Sequence, residues 1–299
     1  MKIAIDVMGG DYAPKAAIDG AILFIQKNKS KNTFIYLLGL ERDISKYLRD
    51  LNLEKDIIEK MTIIDCPQIV EMNDKPSKIL KNKPNSSLVK TIELVSNNKA
   101  DAAISAGNTG ALLVSSLFMI GKIKNISRPA FAPFIPTRNN GFIICDAGAN
   151  VDAKPNHILQ FALMASAYIE HLMNIKNPKV GLLNIGREKT KGSNLYRETY
   201  LLLENNLKNF YGNIESRYIH SGLVDVVVCD GFTGNIILKH SEGLMQNILS
   251  WVKESNKSNN KFNLENILSL LDYEEHGATP LLGINGIVMK CHGSSKSKS

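Results

Sequence analysis

Eight short runs of apolar, largely β-branched residues punctuate the chain, with longer stretches of helical apolar period between them. The runs are Lys2–Val7, Phe34–Gly39, Met61–Ile64, Ala102–Ser105, Phe142–Cys145, Val180–Ile185, Val224–Cys229 and Ile287–Lys290. Most are continuous and do not alternate, which is the pattern of strands covered on both faces of a parallel sheet. The helical stretches are Lys15–Lys27, Asp43–Leu51, Ser87–Asn97, Thr109–Ile120, His157–Asn174 and Asn235–Lys253. Strand–helix alternation of this kind predicts an α/β, doubly wound, mostly parallel sheet. Pro155 occupies a helix-start position, where its missing N–H costs nothing, and Gly121 is a plausible C-terminal cap of the helix before it.

Composition narrows the function classes. With 299 residues, 44% of them hydrophobic, the chain is long enough to bury a sizeable core. A net charge of +7 favours acidic partners. The charge follows a chain-wide bias, however: 29 lysines against 7 arginines, with 30 asparagines. Arginine, the usual reader of bases, is scarce and no basic block occurs, so nucleic-acid binding is disfavoured. Four cysteines, at 66, 145, 229 and 291, have no metal-ligand spacing and suit a reducing compartment. Asp6 stands too early for a signal peptide. The longest apolar run, Ala111–Ile120, is broken by Ser115 and Ser116 and is about half of the ~20 residues a membrane span needs.

One local pattern recurs. Ala103-Ile104-Ser105 runs into Ala106-Gly107-Asn108-Thr109-Gly110, then a helix. Ile143-Ile144-Cys145 runs into Asp146-Ala147-Gly148-Ala149-Asn150, then the helix after Pro155. Val227-Val228-Cys229 runs into Asp230-Gly231-Phe232-Thr233-Gly234-Asn235, then another helix. Each is a strand, a tight glycine-bearing turn and a helix start. Glycines allow close approach and positive φ, and free N–H groups with the positive helix end then favour an anion. In parallel sheets, ligands bind outside the strands' carboxyl ends. Three such corners point to a phosphate or carboxylate site. None matches a nucleotide P-loop or a dinucleotide fingerprint.

Other strand ends add candidates. The loop after Asn184 brings Arg187, Lys189 and Lys191 to one rim, either to neutralise phosphate or as solvated lysines and arginine. The last strand runs into His292-Gly293-Ser294-Ser295, and His292 is a candidate general acid or oxyanion donor. Asp6, Asp11, Asp146 and Asp230 lie at strand ends, as metal ligands or bases or as turn caps. Cys145 and Cys229 read as small core residues. No G-x-S-x-G nucleophile elbow occurs. Anion cradles without a protein nucleophile suit chemistry in which the bound anion itself attacks.

Taken in order, Ile5-Asp6-Val7-Met8-Gly9-Gly10-Asp11-Tyr12-Ala13-Pro14, Ser105 to Ala111, Asp146 to Asn150, Asn184-Ile185-Gly186, Cys229 to Asn235, Leu281-Leu282-Gly283 and His292 to Ser295 resemble the signature blocks of the bacterial acyl-acyl-carrier-protein:phosphate acyltransferases, the PlsX-type phosphate acyltransferase family. The blocks span nearly the whole chain. The resemblance implies transfer of a fatty acyl group from an acyl-carrier-protein thioester to inorganic phosphate, giving acyl phosphate for phospholipid synthesis. A membrane glycerol-3-phosphate acyltransferase then uses that product. It implies a fold of the isocitrate/isopropylmalate dehydrogenase-like type, a homodimer, no cofactor or metal, and a cytoplasmic protein with peripheral membrane contact.

The expectation is one α/β acyltransferase domain over residues 1–299. It carries a projecting helical pair at about 244–272, interrupted by the polar stretch 255–263, and a frayed tail at 294–299. Candidate catalytic residues are His292, Asp230, Lys191 and Asn150. Candidate phosphate- or substrate-binding residues are Gly107, Asn108, Thr109 and Gly110; Asp146 and Gly148; Gly231, Thr233, Gly234 and Asn235; and Ser294 and Ser295. The chain departs from the family pattern in its short helical excursion, in its end soon after Ser295, and in Arg187 where an acid is expected. Rival readings are a phosphotransacetylase-like enzyme using acyl-coenzyme A, a non-catalytic scaffold that docks carrier protein, and a metal-dependent hydroxyacid dehydrogenase.

Overall fold

The structure, a computed structural model, describes residues 1–28, 32–137, 141–256, 278–295 and 297. In chain order the strands are β1 (Lys2–Asp6), β2 (Phe34–Gly39), β3 (Met61–Asp65), β4 (Ala102–Ser105), β5 (Ala130–Phe131), β6 (Phe134–Ile135), β7 (Phe142–Cys145), β8 (Val180–Asn184), β9 (Phe210–Glu215), β10 (Val226–Val228), β11 (Ala278–Leu282) and β12 (Ile287–Cys291). The helices are α1 (Lys15–Lys27), α2 (Glu41–Asp50), α3 (Lys55–Ile58), α4 (Ile79–Asn82), α5 (Ser87–Ser96), α6 (Thr109–Met119), α7 (Pro155–Met173), α8 (Asn194–Asn206) and α9 (Gly231–Asn256). Contacts gather these elements into two compact units: Met1–Lys124 with Gly277–Ser299, and Asn125–His276.

In the first unit the strands run in the order β3-β2-β1-β4-β12-β11. All neighbours are parallel except the β11–β12 pair. Every residue of β1 after Lys2 is buried. Since successive side chains point to opposite faces, both faces are covered. Ile3, Ile5 and Val7 pack against Ile18, Ala21, Ile22 and Ile25 of α1, while α5 lies along β1, β2 and β4. Strand β12 returns from the far end of the sequence to pair with β4, Lys290 opposite Ser105. The loops after β1, β4 and β12 therefore leave the same edge of the sheet.

In the second unit the order is β6-β7-β10-β8-β9, parallel except for the β6–β7 pair. Its centre is dry and β-branched: Ile143, Ile144, Val180, Val226, Val227 and Val228 are fully buried. Long helix α7 packs on β7 and β10, and α8 on β8 and β9.

The eight expected strands and six expected helices are present, with ends shifted by a few residues. Strands β5, β6, β9 and β11 and helices α3, α4 and α8 are additions. Strand β9 carries Gly212 and Asn213 inside its run, and β11 carries Pro280, which is how edge or bulged strands escape a periodicity reading. Helix α9 begins at Gly231, so the stretch Gly231–Asn235, expected as a turn, is the first helical turn itself. Among the expected features, residues 257–272 of the helical pair lie outside the described residues. The tail is held at its start, where the Ser295 amide donates to His292 O at 3.0 Å; residues 296, 298 and 299 lie outside the description.

Candidate active site

In the first unit three loops converge through hydrogen bonds to backbone carbonyls. Asp11 N donates to Gly293 O at 2.8 Å, joining the β1 loop to the β12 loop. Lys290 donates through Nζ to Ala106 O at 3.3 Å and also to Cys291 O. At the centre the buried Asp6 carboxylate accepts from Ser105 Oγ at 2.7 Å and Met8 N at 3.3 Å. Burial pushes its carboxyl above the ordinary range, partly offset by the Ser87 and Ser105 hydroxyls, the Met8 amide and the nearby Lys290 charge. Ser105 Oγ also accepts from Gly107 N at 3.0 Å. Gly107 sits in close quarters and not at positive φ: a Cβ there would press on Ser105 Oγ at 3.2 Å and Asp6 Oδ2 at 3.3 Å.

Asn108 is buried and caps α6, its Oδ1 accepting from Ala111 N at 2.9 Å. Its amide Nδ2 donates to the carbonyls of Glu71, Met72 and Asp74 at 3.2, 3.0 and 3.3 Å. The Asn108 side chain thus braces the loop at 71–74, and what the corner offers an anion is the first N–H groups of α6, at Thr109 and Gly110. His292 Nδ1 lies 2.7 Å from Ser294 Oγ and accepts from Ser294 N at 3.2 Å. An amide N–H needs a lone pair to meet, so the neutral ring carries its proton on Nε2, where it is a donor. Ser295 Oγ is buried and has no hydrogen-bond partner among the described residues.

In the second unit two corners interlock. Asp146, fully buried, accepts from Phe131 N at 3.0 Å and Ala149 N at 3.1 Å on Oδ1. On Oδ2 it accepts from Asn150 N at 2.6 Å and Asn150 Nδ2 at 3.0 Å. Asn150 Nδ2 also donates to Pro129 O at 2.8 Å, and Asn150 O accepts from Gly231 N at 2.8 Å. A Cβ on Gly234 would stand 2.0 Å from Asp146 O, and one on Gly231 2.6 Å from Asp146 Oδ2. Only glycine lets α9 start this close. Gly148 does adopt positive φ, +119°, facing Asn235. Asp146 is therefore a turn-capping carboxylate, the second of the two roles open to it in the sequence.

Asp230 precedes α9 and accepts from Thr233 N at 2.9 Å, Thr233 Oγ1 at 2.7 Å and Tyr196 OH at 2.5 Å. Tyr196, on α8, is a residue that the sequence reading missed, because α8 itself was not anticipated. Burial, then Cys229 and Asp230, hold its phenol above the ordinary range, so it stays a proton donor to Asp230. The cationic rim after β8 is thinner than expected. Arg187 faces Glu215 at 3.8 Å and the Tyr218 ring at 4.6 Å, and Lys189 pairs with Glu204. Lys191 is exposed, and among the described residues its ammonium is in no ion pair. Cys145 and Cys229 are fully buried, as core residues.

A family described as fatty acid synthesis protein matches residues 1–299. A phosphate acyltransferase of Clostridium tetani is 43% identical over 308 aligned positions, covering 100% of this chain and 91% of that protein. One from Dictyoglomus thermophilum is 44% identical over 310, covering 100% and 90%. Among solved structures, a phosphotransacetylase from Streptococcus pyogenes aligns with a TM-score of 0.65 at 16% identity, covering 100% of this chain and 90% of its own. The EutD phosphotransacetylase from Staphylococcus aureus gives 0.63 at 16%, with the same coverage. These two likenesses are of fold, a mixed α/β architecture with parallel sheets. With a family match along its full length and relatives more than 40% identical across all of it, the chain belongs to the fatty acid synthesis protein family.

Proposed function

We propose that this chain transfers a fatty acyl group from an acyl-carrier-protein thioester to inorganic phosphate, releasing acyl phosphate for phospholipid synthesis. The observation that carries this reading is full-length similarity, above 40% identity, to proteins named phosphate acyltransferase. The step balances: a phosphate oxygen attacks the thioester carbonyl carbon, a C–O bond forms, the C–S bond breaks, and the carrier's thiolate leaves and takes up a proton. The attacking anion is itself the nucleophile. The protein has to orient it and to stabilise the oxyanion that develops.

In the first unit the amides of Thr109 and Gly110, behind the Gly107–Asn108 turn, are the proposed phosphate cradle. His292, donating through Nε2, is the proposed donor to the thioester oxygen, and Ser294 orients its ring by donating to Nδ1. In the second unit Thr233, Gly234 and Asn235 at the start of α9 form a second anion-holding corner, with Lys191 as its mobile charge. Asp230 fixes that helix start, and Asp146, Gly148, Asn150 and Gly231 hold the corner's shape. No metal or cofactor enters the scheme.

The net charge of +7 supports an acidic carrier protein as donor. Phe232, Ile236, Leu244 and Trp251 are all about half exposed or more on α9, within about 120° of one another at 100° per residue. Such a face supports a homodimer and peripheral contact with a membrane at the cytoplasmic side. A membrane glycerol-3-phosphate acyltransferase would consume the product. No helix among the described residues is long and apolar enough to cross a membrane. Residues 1–299 act in this reading as one acyltransferase domain of isocitrate/isopropylmalate dehydrogenase-like type.

The test is discharge of acyl-carrier protein by the purified chain with and without phosphate, trapping acyl phosphate as the hydroxamate. Phosphate-dependent hydroxamate is expected; thioester hydrolysis at full rate without phosphate refutes the reading. The same assay with acyl-coenzyme A beside acyl-carrier protein decides the donor.

A further inference from the structure

An apolar cavity of about 180 Å³ lies wholly within the first unit, between α1 and the sheet. It exceeds the ~150 Å³ of an apolar protein cavity that stays dry and takes up benzene. Its floor is Ile3 and Ile5 of β1, Ile35 of β2 and Ile104 of β4. Its roof is the underside of α1, where the small side chains of Ala16, Ala17 and Ala21 leave room that larger ones would fill, Gly20 lies against the Ser297 backbone, 3.1 Å from where its Cβ would stand, and Phe24 is at the far end. From Ala16 to Phe24 this roof runs for about 12 Å at 1.5 Å per residue. The cavity is therefore a slot parallel to β1 and not a round void.

The slot is open to one kind of chemistry along its length and another at its end. Asp6 and Ser105, the polar groups beside the floor, are satisfied by each other at 2.7 Å. At the carboxyl ends of the strands its lining changes to Gly9, Gly10 and Gly293, with Ser295. Ser295 is 8% exposed, and its hydroxyl finds no partner among the described residues. A buried hydroxyl left unpaired is costly, and this one stands where an apolar slot meets the glycine corner that carries His292 and Ser294. A ligand that satisfies both needs a hydrocarbon tail and a polar acceptor at its head.

We propose that this slot holds the hydrocarbon of the fatty acyl group, tail toward Ile3, Ile35 and Phe24 and carbonyl end at Ser295, and that the α1 residues Ala17 and Phe24 set acyl-chain preference. The inference rests on the acyl-transfer reading for the identity of its ligand, and on the cavity and Ser295 for its place.

Ala17→Leu places three carbons into the slot, and excluding two methylenes of ligand weakens binding by about tenfold. The palmitoyl-to-butyryl ratio of kcat/KM should fall by about that factor in Ala17→Leu and rise in Phe24→Ala. Separately, calorimetry with lauric acid should show binding to the unmodified protein and about tenfold weaker binding to Ala17→Leu. Melting curves identify folded variants, and Phe24→Ala carries the test if Ala17→Leu does not fold. Unchanged chain preference with unchanged lauric-acid affinity in a folded variant overturns the slot assignment. Absence of acyl phosphate from every thioester overturns the acyl-transfer reading, and the lauric-acid arm still decides the slot.

Discussion

Replacing Asp146 tests whether the second unit's corner is held by one buried carboxylate. Its two oxygens divide the work. Oδ1 serves Phe131 N and Ala149 N, and Oδ2 serves the backbone and side-chain nitrogens of Asn150. Asp146→Ala removes both oxygens and leaves three backbone N–H groups unpaired at a position with no exposure. Each unpaired buried donor costs about 1–3 kcal/mol, and the Ala149 and Asn150 amides are only part-buried, so the loss is about 3 kcal/mol. That is a large share of the ~5–15 kcal/mol that holds an ordinary domain together. Asp146→Asn keeps an oxygen for Phe131 and Ala149 but turns an amide group toward Asn150 N, a donor facing a donor. It should cost about 1–3 kcal/mol, less than alanine. Urea denaturation followed by circular dichroism measures both, as shifts in midpoint at constant slope. An Asp146→Ala loss below about 1 kcal/mol, or an asparagine as damaging as alanine, would refute the assignment of the hydrogen bonds to this carboxylate.

Three further outcomes are expected. Gly234→Ala forces a methyl to 2.0 Å from Asp146 O and should destabilise well beyond Gly121→Ala, where nothing lies within 4 Å and only positive φ costs about 1–2 kcal/mol; equal midpoints would contradict this. All four cysteines are buried, with burial pushing Cys66 up to about 11 and raising Cys145, Cys229 and Cys291; a thiol reagent at neutral pH should therefore titrate none in the native protein and four after denaturation. Lys83 beside Asp74, at 2.6 Å, holds the Asp74 carboxyl below its ordinary range. A depressed pKa stabilises above the unfolded value and loses that stability as pH falls through the folded one, so the stability gap between the unmodified protein and Lys83→Met should close in acid; a gap that widens there would be contrary.

The strands and helices of the core were legible before any coordinates. Continuous runs such as Ile3–Val7 and Val226–Val228 can be buried on both faces only in a covered sheet, and three glycine-bearing corners mark where parallel strands end. The structure adds the helix caps at Asn108 and Asp230, whose short polar side chains satisfy the first amides of the helices they precede.

Tertiary structure decided what holds those corners in shape. Gly107, Gly231 and Gly234 answer to atoms distant in sequence, at Asp6 and Asp146, and no local rule reports a Cβ clash between separate strands. The pairing of β12 with β4, which sets Lys290 opposite Ser105, depends on the chain's return over more than 180 residues. The partners of Arg187 and Lys189, the role of Tyr196, and the slot beneath α1 likewise arise only when elements pack. A sequence gives each residue its chemistry and local period; which groups are left unsatisfied, and which space is left empty, is fixed by neighbours that folding supplies.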